Sequence, residues 1–103
     1  MSSTIRVLLA DDHAIVREGL RAVLQTDPRM RIVAEAVDGK QAIELAIELK
    51  PQVVVMDLFL PVINGIEATR KITKKVPTSK VLIFSTAMDR ANVPEMSRMG
   101  APL

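Results

Sequence analysis

The chain has no cysteine, tryptophan or tyrosine, only two phenylalanines and a single histidine. Without cysteine, neither a disulfide framework nor a thiolate metal site can form. Two aromatics, Phe59 and Phe84, offer too little ring surface for a base-stacking platform, which argues against single-strand nucleic-acid binding. An excess of one charge is also missing: 14 basic residues against 12 acidic ones leave a net charge of +2, too small to identify a polyanionic partner. The densest basic run, Arg70, Lys71, Lys74, Lys75 and Lys80, reads as a solvated helix face and the turn after it. No stretch approaches the roughly 20 apolar residues of a membrane span. Met1 to Arg6 is too short for a signal peptide. A cytoplasmic protein without membrane contact is the expectation.

What is present suits one small folded domain covering residues 1–103. Short apolar runs alternate with longer amphipathic segments. Ile5 to Ala10 is a compact strand-like run ending in acids. Val16, Leu20, Val23 and Leu24 then fall at helical spacing until Asp27-Pro28. Arg31 to Val37 mixes polar and apolar residues as a half-exposed edge strand would. Asp38-Gly39-Lys40-Gln41 reads as a variant capping box, and Ala42, Leu45, Ala46 and Leu49 form the apolar stripe that follows. Val53 to Met56 is short and unbroken, suiting a strand buried on both faces. Asn64 and Glu67 mark another helix start, carrying Ala68 and Ile72 to Val76-Pro77. Val81 to Phe84 is expected as a fourth buried strand. A weaker helix, with Asn92 as cap and Pro94 and Glu95 in its first turn, ends at Gly100. Strict alternation of strand and helix with two-sided apolar strands predicts an α/β fold, a parallel sheet with helices on both faces.

In such sheets a ligand site lies beyond the carboxyl ends of the strands. The residues there are Asp11 and Asp12 after the first strand, Asp57 after the third, and Ser85 and Thr86 after the fourth. Three converging acids raise one another's pKa unless a counter-charge is present, and a hard divalent cation such as Mg2+ supplies one. One acid could instead cap the following helix, but capping does not account for the pair together with Asp57. His13 is expected to be a surface or capping neighbour rather than a metal ligand or phosphorelay group. Met88, Met96 and Met99 are read as packing or surface residues.

The segments LLADDH at 8–13, VVVMDLFLP at 53–61, NG at 64–65 and VLIFST at 81–86 resemble the signature of response-regulator receiver domains. Asp11 to Leu20 is most similar to the branch whose full-length members carry a C-terminal LuxR-type helix-turn-helix. The resemblance implies a three-layer, doubly wound flavodoxin-like (CheY-like) sheet with strand order 2-1-3-4. It implies that Asp57 is the phosphoacceptor and that Ser85 supplies the switch hydroxyl. Asp11, Asp12, Asp57 and the backbone carbonyl of Phe59 would hold Mg2+. A sensor histidine kinase would be the phosphoryl donor, and transcription the output of a full-length parent. Pro61 and Gly65 match residues that shape the loop after the phosphorylated strand. Leu60 stands where the family more often has methionine, a minor apolar swap.

The family pattern continues past the positions matched by Gly100-Ala101 with a lysine-bearing fifth strand and a fifth helix, whereas here Pro102 and Leu103 remain. A receiver incomplete in this way is expected to lack the lysine contact to the phosphoryl group. It would expose its fourth strand and form homodimers or larger oligomers through that edge. Direct DNA binding by this chain is not expected. Two alternatives accompany the signalling role. One is an interaction-only fragment that does not switch. The other is a small aspartyl-phosphate phosphotransferase, which needs a second acid two residues beyond its nucleophile, where Phe59 stands.

Overall fold

The computed structural model describes residues 4–85. Within them, seven elements alternate: β1 (Ile5–Ala10), α1 (Ala14–Leu24), β2 (Met30–Ala36), α2 (Gly39–Leu49), β3 (Val53–Asp57), α3 (Gly65–Lys75) and β4 (Lys80–Phe84). The four strands are parallel in the order β2-β1-β3-β4. The helix expected before Gly100, with Met88, Met96 and Met99, lies outside the described residues.

The strand order puts a topological switch between β1 and β3. The chain leaves β1 in one direction through α1 and returns past it through α2. Right-handed crossovers therefore place α1 and α2 on opposite faces. Here α2 and α3 pack side by side, and α1 packs against β2. The sheet core follows strand parity. Leu8 and Ala10 of β1 and Val54 and Met56 of β3 join Ala42, Ala46, Ala68 and Ile72 beneath α2 and α3. Val7 and Leu9 are as deeply buried. β1 is thus covered on both faces, as its unbroken apolar run requires.

Helix starts follow side-chain chemistry. The Asp38 carboxylate accepts from Gln41 N–H, and the Asn64 side-chain oxygen accepts from Glu67 N–H. The expected capping box at Asp38 is only half made. The Gln41 side chain accepts from Val37 N–H, one residue before the cap, and so clips the end of β2 to α2. Glu67 likewise turns away from its cap and pairs with Arg70.

Two expectations about burial need correction. β4 is not the buried strand its apolar run alone suggests but the exposed one also expected: Leu82 is 61 % and Ile83 42 % exposed, and Val81 packs against the core. β4 pairs with β3 along one edge, and α3 is the helix packed against it among the described residues. An apolar run signals a strand but does not supply a cover for each face. Val23 also turns outward, although it shares helical spacing with Val16, Leu20 and Leu24. The reason is that α1 is rotated to bring Arg17 and Arg21 to Glu35 of β2.

The loop after β3 is tightly strapped. The Pro61 carbonyl accepts from both Gly39 N–H and Ile63 N–H. A Cβ at Gly39 would collide with the Ile63 carbonyl, and one at Gly65 would lie 2.5 Å from the Asp57 carbonyl. Between these anchors Val62 takes φ 69, a left-handed conformation that a β-branched residue adopts under strain. Its side chain is exposed and contributes little packing. Val62→Gly should therefore raise stability by about 1 kcal/mol, read as a higher urea midpoint at unchanged slope.

Candidate functional site

Register assembles the acids. Ala10 pairs with Met56, so one further residue along each parallel strand brings Asp11 beside Asp57. Both side chains are fully buried, whereas Asp12 is partly exposed. Asp57 also pairs with Phe84, which sets Ser85 at the same edge as the next residue of the chain. The expected acids and Ser85 thus share the carboxyl end of the sheet.

Each buried carboxylate is half satisfied. Asp57 Oδ1 accepts from Phe59 N–H at 3.1 Å, and Asp11 Oδ1 accepts from His13 N–H at 2.6 Å. The second oxygens, Asp11 Oδ2 and Asp57 Oδ2, are buried with no hydrogen-bond partner among the described residues. Desolvation raises the Asp57 pKa above its ordinary value, the negative charges of Asp11 and Asp12 add to the rise, and the Phe59 N–H opposes it. Two orphaned carboxylate oxygens, with Asp12 alongside, form an all-oxygen donor set that suits a hard divalent cation.

The capping alternative for Asp11 or Asp12 does not hold, because His13 occupies the N-cap of α1. His13 stands at the N-cap itself and is partly exposed, as a surface or capping neighbour would be, but its side chain makes no cap bond and turns to the acids. Its Nδ1 lies 2.9 Å from Asp11 Oδ1 and 3.2 Å from Asp12 Oδ1. The hydrogen bond to Asp11 raises the His13 pKa, and the nearby acids reinforce the shift against desolvation.

Two further residues support the site. The Arg17 guanidinium donates from Nη1 to the Asp11 carbonyl at 2.6 Å and from Nε to Glu35 at 3.0 Å. Asp11 N–H donates to the Ala36 carbonyl of β2. The backbone of Asp11 is therefore held on both sides, from β2 and from α1. Arg17 and Glu35 could not be singled out from spacing alone, since their pairing depends on how α1 sits over β2.

With this geometry in view, comparison with known proteins is decisive. The response regulator receiver domain family matches residues 7–102. The chain belongs to that family. The transcriptional regulatory protein LnrK of Bacillus subtilis is 42% identical over 97 residues, which cover 94% of this chain and 44% of LnrK. A protein-glutamate methylesterase/protein-glutamine glutaminase of Thermotoga maritima is 44% identical over 98 residues, covering 94% of this chain but 28% of that enzyme. The crystal structure of a LuxR-family two-component response regulator from Aurantimonas superposes with a TM-score of 0.77 at 43% identity, covering 96% of this chain and 71% of that one. The chain spans less than half the length of these curated relatives. One receiver domain thus occurs in regulators and in an enzyme alike. Among the described residues, no helix is long and apolar enough to cross a membrane.

Two predictions follow from the electrostatics. Asp57→Asn removes a buried charge beside Asp11 and should stabilise the protein in chelator at neutral pH by about 1–2 kcal/mol; a lower urea midpoint would contradict this origin of the Asp57 shift. Glu35 behaves oppositely. The Arg21 hydrogen bond, aided by Arg17 and opposed by burial, holds its carboxyl below the ordinary range. A depressed native pKa contributes stability above the unfolded value that is lost as pH falls through the folded one. Glu35→Gln should therefore be less stable by about 1 kcal/mol at pH 7, with the difference closing in acid below roughly pH 4 in paired denaturation curves.

Proposed function

We propose that the chain is a phosphoacceptor receiver in which Asp57 takes a phosphoryl group from the phosphohistidine of a sensor kinase. The observation that supports this most directly is the unpartnered, buried Asp57 Oδ2 at the acidic edge. Phe59 N–H holds the other oxygen, which leaves Oδ2 as the attacking atom. In the transfer, the P–O bond to Oδ2 forms as the P–N bond to the donor imidazole breaks, and the departing ring nitrogen takes up a proton. Little covalent work is left to the protein, so alignment and charge neutralisation carry the catalysis.

Mg2+, when bound, supplies positive charge against the carboxylates and the transferring phosphoryl oxygens. Asp11, Asp12, Asp57 and the Phe59 carbonyl would hold it. Arg17 keeps the Asp11 backbone in place, and Ser85, next after the residue paired with Asp57, would offer its hydroxyl to a phosphoryl oxygen. Such a contact draws on the β4 end of the sheet, which gives the switch its output. In a longer cytoplasmic protein of the kind its transcriptional relatives represent, that output would be transcription.

Incubation with acetyl phosphate and Mg2+ should add one phosphoryl group by intact mass. The adduct should be released by hydroxylamine, as an acyl phosphate is, and be absent from Asp57→Asn. An equal mass gain in that variant, or none in the wild type with Mg2+ present, would refute the assignment.

A further inference from the structure

Asp11, Asp12 and Asp57 suit a hard cation, but the fourth member of their constellation does not. One donor atom each from Asp11, Asp12, His13 and Asp57 lie within 4.8 Å of one another. Two of these residues, Asp11 and Asp57, are fully buried and carry a carboxylate oxygen without a partner. We propose that this edge is a mixed nitrogen–oxygen site that takes a borderline first-row transition ion such as Ni2+, with the His13 imidazole as a ligand that Mg2+ does not use. The proposal rests on the reading that the three acids hold a cation.

The dimensions allow it. Metal–donor bonds of about 2.1 Å place opposite donors of an octahedron about 4.2 Å apart. A constellation spanning 4.8 Å closes onto an ion with shifts of a few tenths of an ångström per donor. His13 is held where such a closure is local. Its backbone N–H is bonded to Asp11 Oδ1, and its ring already lies against both Asp11 and Asp12. Ligand preference then separates the ions. Mg2+ takes oxygen donors and keeps several waters, whereas imidazole suits nickel, copper and zinc. The His13 ring is partly exposed, so an ion can reach it from solvent. An ion seated there occupies the place that Mg2+ needs beside Asp57.

Any carboxylate site binds Ni2+ more tightly than Mg2+ to some degree, so the diagnostic quantity is the part of that preference that depends on His13. Titration calorimetry of the full 103-residue chain with Ni2+ and with Mg2+ measures it. His13→Gln should weaken Ni2+ binding by about tenfold or more and change Mg2+ binding by less than about threefold. His13→Asn keeps a good N-cap for α1 and should give the same result if glutamine destabilises the helix. With Co2+ as the probe, the visible absorption band should shift in both variants as a nitrogen donor is lost. An unchanged Ni2+-to-Mg2+ ratio in both His13 variants overturns the proposal. Asp57→Asn separates the two levels of the argument. If it leaves both ions unaffected, the acids hold no cation and the proposed function fails as well. If it weakens both ions while the His13 variants leave the ratio intact, only the nitrogen ligand is wrong.

Discussion

Two carboxylates buried side by side are the constraint around which the carboxyl edge of this sheet is organised. Parallel pairing of β1 with β3 puts Asp11 next to Asp57, and no single-residue shift would preserve both the apolar core and the acidic edge. The surrounding contacts relieve half of the resulting strain. Phe59 N–H and His13 N–H each engage one oxygen, and Arg17 engages the Asp11 backbone rather than its carboxylate. What is left over, among the described residues, is two buried carboxylate oxygens with no partner, side by side at the carboxyl end of the sheet.

The loop beside this edge is tightly fastened. The loop leaving Asp57 is fastened to α2 through the Pro61 carbonyl, and its two ends are joined where Gly65 N–H, at the start of α3, donates to the Leu58 carbonyl. The close approaches at Gly39 and Gly65 leave no room for a Cβ, so the loop lies directly on its supports. The strained backbone is confined to Val62, whose side chain faces solvent.

Much of this was legible beforehand, and the reasons are specific. Acids that directly follow apolar strand runs can be assigned to one edge as soon as the βα alternation is recognised, which is why the sequence alone groups Asp11, Asp12 and Asp57. Asp38 and Asn64 were legible because capping is decided within three residues. What escaped depends on packing between distant segments. The Arg17–Glu35 pair spans 18 residues and exists because of the rotation of α1 over β2. The turn of the His13 ring toward the acids and the outward face of Val23 are likewise set by neighbours that local periodicity does not encode.

That rotation of α1 also divides the helices by the kind of force that holds them. α2 and α3 are anchored by buried alanines and Ile72, whereas α1 has no fully buried residue and meets β2 through Arg17, Arg21 and Glu35. Ionic contacts near the surface weaken as ionic strength rises, and apolar burial does not. α1 also carries the guanidinium that steadies Asp11. The acidic edge is therefore tied on one side to a helix whose grip follows the salt content of its surroundings, and on the other to helices that are indifferent to it.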